Sequence, residues 1–417
     1  MLPAKLIKNI SSLTVIHGLN YFLSLAILPY MLTTYGPVNW GKLVFVQILT
    51  NYFIWFTDWG FNKGAIKKIS GDKLALKNTT KVFFNYWLAQ AILLIISMSV
   101  IFGVLLLNKT INGIDRNLIA IASILIVSNV ILPTWYFQAL EQVAESAFFQ
   151  FLPKAINVFL VFLFIKNSND LIEYITIISL SSFFVSVLGI LFMLKYNKVK
   201  YSKPSFKKAI NILKKDFVWF RINIISSLSS LIVPTYLGVF SGMGELGLFN
   251  VAEKIKSSAI IIFHPITHSL FPRMNYLFKK SVKEALLLAK RFFVALTFLS
   301  GIASGIIFIY SKEILHLLGG DEFTQASSFL RIIAFVPLIS TLNSFLNDQI
   351  IVPNSNGLII EKINLLSFLF LCLLVSPFFN LFGISGIGYL LLINEILIFF
   401  LNSYKARNVL IFLKLNR

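Results

Sequence analysis

The chain has 417 residues, of which 57% are hydrophobic and 13% charged, and its mean hydropathy is +0.82. Soluble domains carry about 25% charged residues, so a soluble globular protein is excluded and an all-α polytopic membrane protein is expected. The formal charge of +20 comes from lysines concentrated between apolar runs, which reads as membrane topology and contact with anionic lipid, with no nucleic-acid partner.

Apolar runs of about 20 residues match a hydrocarbon core of about 30 Å, and they lack the ten-residue alternation of a membrane barrel. In chain order the pattern predicts twelve helices at about 10–33, 41–61, 82–107, 117–140, 148–166, 171–194, 217–240, 249–271, 292–311, 325–351, 362–382 and 384–404. The basic start "MLPAKLIKNI" resembles a signal peptide, but the apolar segment behind it runs to about Met31 without a small-residue cleavage site. It is therefore expected to be the first spanning helix.

The longest polar connection lies near the middle of the chain and carries eight lysines from Lys195 to Lys215. It divides the chain into a six-helix half at 1–200, a basic linker at 201–216 and a second six-helix half at 217–417. "PYMLTTYGPVNWGKLVFV" from Pro29 and "PTYLGVFSGMGELGLFNVA" from Pro234 share a helix-borne proline, a Gly-rich turn and a following glycine. Such an echo fits two pseudo-symmetric bundles, related by an axis along the membrane normal, around a central cavity.

Lys63, Lys67, Lys68, the linker lysines, Lys279, Lys280, Lys405 and Arg407 fall on the same side as the termini. Lys42, Lys109, Arg116, Lys166 and Lys312 fall on the other. The bias predicts cytoplasmic termini. A single cysteine, Cys372, excludes an intramolecular disulfide and reads as a packing residue. No phosphate-cradling Gly-Lys-Ser/Thr loop and no His/Glu zinc pattern is present. No cofactor and no enzymatic activity is expected.

Polar residues inside spans are costly and mark either packing between helices or a path through them. His17, Asn20 and Ser24 share a face of the first helix, and Gln47, Asn51, Trp55 and Asp58 share one of the second. Arg221, Asn223, Ser227 and Ser230 lead to Pro234 in the seventh. The eighth carries Asn250, Glu253, Lys254, Ser257, His264, His268 and, at its end, Pro272 and Arg273. Arg331, Asn343, Asn347 and Asp348 mark the tenth, and Asn394 and Glu395 the twelfth. Asp58 either fixes its helix end by pairing with Lys63, Lys67 or Arg221, or gates the cytoplasmic entrance.

The segment "TDWGFNKGAIKKIS" resembles the close of the second helix in bacterial O-antigen flippases, the Wzx-type polysaccharide translocases. "LGVFSGMGELGLFNVAEKI" and "HPITHSLFPRM" are similar to that family's seventh and eighth helices. The resemblance implies a flippase of the multidrug/oligosaccharidyl-lipid/polysaccharide superfamily in the bacterial inner membrane. Its substrate would be an oligosaccharide repeat unit on undecaprenyl pyrophosphate, moved from the cytoplasmic to the periplasmic leaflet by alternating access. Arg221, Lys254, Arg273 and Arg331 would then balance the pyrophosphate, and Asn51, Trp55, Asn223 and Asn250 would contact sugars. Asp58, Glu253, His264 and His268 would couple transport to a proton or sodium ion or gate it. Other polysaccharide-assembly proteins are further partners in this reading. A cation-coupled exporter on the same scaffold predicts an acidic cavity, and a membrane polymerase predicts a large exterior loop, which this chain lacks.

Overall fold

The computed structural model describes residues 23, 25–71, 76–107, 110–111, 113–197, 199–354 and 358–415. Most of the predicted first helix, with His17, Asn20 and Ser24, lies outside the described residues. The chain divides into two compact units, Met1–Ser227 and Leu228–Arg417, and the boundary falls inside one helix.

In the first unit, α1 (Leu28–Asp58) is bent at Gly36, where φ is 65° and ψ 177°, just before Pro37. The end of the first predicted helix and the whole second one are thus joined through this bend. A short helix, α2 (Phe61–Gly71), follows. It buries Phe61, Ala65 and Ile69 at i, i+4 and i+8 and exposes Lys63, Lys67 and Lys68. The basic run after Asp58 is therefore a surface helix with an apolar underside, not an irregular loop.

Next come α3 (Leu76–Leu107) and a two-residue hairpin, β1 (Thr110–Ile111) with β2 (Ile114–Asp115), paired antiparallel. Asp115 caps α4 (Arg116–Ile131) by accepting from the Asn117 amide at 2.9 Å. The predicted fourth helix breaks at Leu132 and Pro133, and α5 (Thr134–Ala139) continues beyond. Proline supplies no N–H and disfavours helical backbone in the residue before it. α6 (Val143–Phe164) and α7 (Leu171–Tyr196) match prediction closely, and α4 packs along α7 and against α1.

The last helix of this unit, α8 (Phe206–Tyr236), begins within the basic connection. Its first turns are built into the unit: Ala209 and Ile212 are buried in a core with Phe61, Phe83, Trp135 and Tyr136. Asn85 Oδ1 accepts from the Ser205 amide at 2.8 Å, and Trp59 Nε1 donates to the Leu213 carbonyl at 2.9 Å. Residues 206–216 are thus helical and fixed.

In the second unit α8 ends in a π-type turn at Leu237–Ser241, after Pro234. The predicted eighth helix is two helices, α9 (Met243–Ile261) and α10 (His264–Lys280), parted ahead of Pro265. α11 (Val282–Ile309) is followed by the short α12 (Ser311–Gly319) and a 3-10 turn at Asp321–Ala326, so the predicted exterior loop is ordered. The tenth predicted helix is broken into α13 (Ser327–Ile333) and α14 (Val336–Leu346), with a π-type turn at Asn347–Ile351. The long α15 (Leu358–Leu415) contains the eleventh and twelfth and bends at Gly383.

Among the described residues, seven helices are long and apolar enough to cross a membrane, or eight if the pair bent by 43° at Ile333–Val336 is one span. The expected twelve are not recovered on this measure. One of the seven is the 52-residue stretch Ile360–Ile411, which covers two predicted spans. α1 and α9 fall short because Gln47, Asn51 and Asp58 on one, and Glu245, Glu253, Lys254 and Lys256 on the other, lower their hydropathy.

Asp216, at the membrane-facing end of the basic connection, is 7% exposed and sits against Gly64, where a Cβ would lie 2.2 Å from its Oδ2. That oxygen has no hydrogen-bond partner among the described residues. Burial raises the Asp216 carboxyl above its ordinary value, opposed by a hydrogen bond from Tyr86 and by the charges of Lys68 and Lys215. A carboxyl with a raised folded pKa favours folding most when protonated, below the unfolded value of 3.8, and loses that contribution as pH rises through the folded value. Asp216→Asn is therefore expected to raise the melting temperature of detergent-purified protein at neutral pH. The gap over wild type should close as pH falls toward about 4; a variant that melts below wild type at neutral pH would contradict this account.

Candidate functional site

The polar face of α1 opens onto two cavities of the first unit. One, of about 380 Å³, is lined by Gln47, Asn51, Ser128, Asn129, Gln150 and Ser186 among others. The second, of about 310 Å³, is lined by Trp55, Asp58, Gly60, Asn62, Phe220, Asn223, Ile224 and Ser227. Successive turns of one helical face thus supply both: Gln47 and Asn51 to the first, Trp55 and Asp58 to the second. Asn129 stands between them, lining the first while its Nδ2 donates to Asp58 Oδ1, in the second, at 2.9 Å.

The backbone around Asp58 is unusual. Trp59 has φ 42° and Gly60 φ 74°, two left-handed residues in succession, and a side chain in the αL region costs roughly 1–2 kcal/mol. What holds the turn is contact with α8. The Trp59 ring stacks on Phe220 at 4.2 Å and 15°, and its indole N–H bonds Leu213. A Cβ at Gly60 would lie 2.7 Å from Trp219 Cβ and 2.8 Å from the Phe220 nitrogen, so only glycine fits. This clamp fixes the direction in which Asp58 leaves the helix end.

In the second unit the polar residues pair with one another. Asn402 Nδ2 donates to Asn343 Oδ1 at 3.3 Å, and Asn343 Nδ2 donates to Glu395 Oε2 at 3.0 Å. Lys256 Nζ lies 2.6 Å from Glu253 Oε1, one turn away on α9. Ser367 donates to Asn394 at 2.9 Å. The Asn343 bonds join α14 to α15 through side chains that would otherwise be stranded in an apolar interior.

The structure therefore brings Trp55, Asp58 and Asn223 together, with Asn51 in the adjoining cavity. Asp58 takes Asn129 as its partner; the expected ion pair with Lys63, Lys67 or Arg221 is not found among the described residues. Arg221 is exposed, Arg273 is exposed and lies 5.5 Å from the Tyr276 ring, and Arg331 is exposed with Nε donating to Ser311 at 2.9 Å. Lys254 and Asn250 are half-buried on α9, and Arg221 is not among the residues lining either cavity of its own unit. Glu253 pairs with Lys256. His264 is exposed at the start of α10, and the side chain of His268 lies outside those described. Sequence reading missed Asn129, although a lone asparagine in the apolar run "IASILIVSNVIL" was a signal. It marked Asn343 and Glu395 separately, without the bond that unites them.

Long apolar helices bearing paired polar groups mark this chain as a polytopic membrane protein. It matches, over 94% of its length and 95% of the other, an inward-facing multidrug resistance MATE family transporter of the MOP superfamily, with a TM-score of 0.74 at 14% identity. It also matches the lipid II flippase MurJ in an inward closed conformation, over 97% and 91%, with a TM-score of 0.74 at 13% identity. Residues 6–278 match the family model "Polysaccharide biosynthesis protein", and the chain belongs to that family. Two relatives bear the name "Putative O-antigen transporter". That from Escherichia coli (strain K12) is 25% identical over 403 residues, covering 96% of each chain. That from Shigella dysenteriae is 21% identical over 392 residues, covering 94% of this chain and 97% of its own. The O-antigen flippase resemblance carried by the residues after Thr57 and Leu237 agrees with these matches.

Removing one partner from a buried bond leaves the other unsatisfied, at about 1–3 kcal/mol per group. Asn343→Ala strands both Asn402 Nδ2 and Glu395 Oε2 and is expected to destabilise the protein more than Ser367→Ala, which strands one acceptor. Thermal melts of the two purified variants check the order; equal melting temperatures would refute it.

Proposed function

We propose that this protein flips lipid-linked O-antigen repeat units, carried on undecaprenyl pyrophosphate, from the cytoplasmic to the periplasmic leaflet of a bacterial inner membrane. The observation that carries the reading is the α1 polar face opening onto cavities rich in amide and hydroxyl groups, in a chain of the polysaccharide biosynthesis family. Such groups offer both donors and acceptors to sugar hydroxyls. The relatives named as O-antigen transporters support it across nearly the whole chain.

In this reading the six-helix halves at 1–200 and 217–417 rock about the substrate, and the basic loops keep both termini cytoplasmic. Asn51, Trp55, Asn223 and Asn250 meet the saccharide. Arg221, Lys254, Arg273 and Arg331 are the cations available to the pyrophosphate, to which a charge-assisted hydrogen bond is strong. Glu253, His264, His268 and Asp58 are the groups through which an ion gradient would reset the cycle. A second reading, export of small cationic molecules, is favoured by one observation: among the described residues, the lining of the Asp58 cavity has a carboxylate and no lysine or arginine.

Reconstitution into liposomes with a fluorescent lipid-linked repeat unit tests the proposal. The label is expected to change leaflet in the presence of a proton or sodium gradient. Arg221→Ala or Lys254→Ala should slow it at least about ten-fold, the equivalent of 1.4 kcal/mol, at unchanged protein abundance. Label that stays in its leaflet under every gradient, beside gradient-driven efflux of a lipophilic cation, would replace the flippase reading with the exporter.

A further inference from the structure

The chemistry of the smaller cavity departs from what a pyrophosphate site requires, and it is this mismatch that identifies an occupant. Among the described residues of the first unit, its lining comprises one carboxylate, two amides, one hydroxyl and two aromatic rings, with no lysine or arginine. Arg221, two residues before Asn223 on α8, is exposed and outside the lining. A phosphate group there would face Asp58 with no counter-charge, which low dielectric makes unfavourable.

We propose that this cavity is a subsite for one neutral pyranose ring, in which Trp55 is the stacking platform and Asp58 accepts from ring hydroxyls. The proposal rests on the lipid-linked oligosaccharide reading and deepens it by separating sugar recognition from pyrophosphate recognition. Four observations bear on it. At about 310 Å³ the volume lies at the small end of ligand pockets, about 300–1,000 Å³, which suits a single ring and excludes a polyprenyl chain. Among the described residues Trp55 makes one ring contact, edge-on to Tyr52 at 6.5 Å and 86°, while the Phe220 ring is already stacked on Trp59. Trp55 therefore supplies the platform.

Asp58 is the third point. Its Oδ1 is held by Asn129 Nδ2 at 2.9 Å, and that is its one side-chain hydrogen bond among the described residues. The second oxygen remains for a ligand, on a residue whose backbone is clamped by Trp59 and Gly60 against α8. A fixed carboxylate of this kind accepts from two neighbouring hydroxyls without first paying for reorganisation. Fourth, Asn62 and Asn223 each offer a carbonyl oxygen and an NH₂, so each can donate to or accept from a hydroxyl as the sugar requires. A lipophilic cation would use the carboxylate and the rings but would leave these amides dry, at a cost. Asn129 is a positioning residue in this arrangement, since it acts through Asp58.

The test uses the full chain in nanodiscs and a panel of uncharged methyl hexopyranosides at millimolar concentration, with binding read by saturation-transfer NMR. At least one glycoside is expected to bind wild type. Its signal should fall at least five-fold in Asp58→Asn and in Trp55→Ala and be retained in Trp55→Phe, all with wild-type melting behaviour. No binding by any glycoside, equal signal in the Asn and Ala variants, or displacement by inorganic pyrophosphate or ethidium would overturn the subsite. The same variants in the liposome assay separate the two claims. If wild type moves the lipid-linked unit and both variants move it equally fast, the subsite falls and the flippase stands. If Asp58-dependent glycoside binding is found with no movement in wild type, the flippase reading falls and the subsite stands.

Discussion

A polar side chain on a helix within hydrocarbon must find a partner or a wet cavity, because the bilayer offers it neither. This single constraint organises both units. In the first, Asp58 is satisfied by Asn129 from another helix and by the cavity beside it. In the second, Asn343 bonds both Glu395 and Asn402, and Lys256 pairs with Glu253. The two solutions differ in consequence. A chain of side-chain bonds ties helices together, whereas a carboxylate facing a cavity stays available to whatever enters.

The breaks in the helices follow the same constraint. Gly36, Pro133, the residues before Pro265, the turn at Asn347–Ile351 and Gly383 interrupt helices that would otherwise run straight. Backbone freed at such a break needs protein partners to be tolerated in a membrane. Here neighbouring side chains provide some of them: Trp87 Nε1 donates to the Val130 carbonyl at 2.9 Å, just ahead of the Pro133 break. Gln349 Nε2 likewise donates to the Thr267 carbonyl at 2.8 Å, from a π-type turn to α10. Irregular backbone and buried amides are thus two sides of one arrangement.

Much of the helical layout was legible because membrane spans announce themselves by length and composition: α3, α6, α7 and the two parts of α15 lie where the apolar runs place them. The breaks were less so. Proline marks where a helix is weakened, but whether it bends, splits or carries a π-type turn depends on what packs beside it, as Pro133, Pro234 and Pro265 each show. The lysines of α2 were read only as a marker of topology, and the i, i+4, i+8 spacing of Phe61, Ala65 and Ile69 that makes the segment an amphipathic helix was passed over. At the site, helical periodicity correctly grouped Asn51, Trp55 and Asp58, since residues on one face need no tertiary information. It could not supply Asn129 as the partner of Asp58, 71 residues away, and so favoured nearby lysines on charge alone.

On the proposed reading, the charges bear on how one protein would handle a cargo that is anionic at one end and neutral along the rest. The lysines of α2 and of the first turns of α8 are exposed, while the lining of the Asp58 cavity carries none. A cavity that mixed Arg with Asp58 would bind both parts indifferently and would pair with itself when empty, leaving little differential affinity for either. Keeping the carboxylate among amides and rings makes its preference for hydroxyl donors independent of the cations that attract phosphate. Two recognitions that do not compete can then be satisfied at once by one amphipathic substrate, and only such a substrate gains the full sum of both. On this argument the isolation of Asp58 from basic residues is a source of selectivity, and the strained Trp59–Gly60 turn is what maintains it.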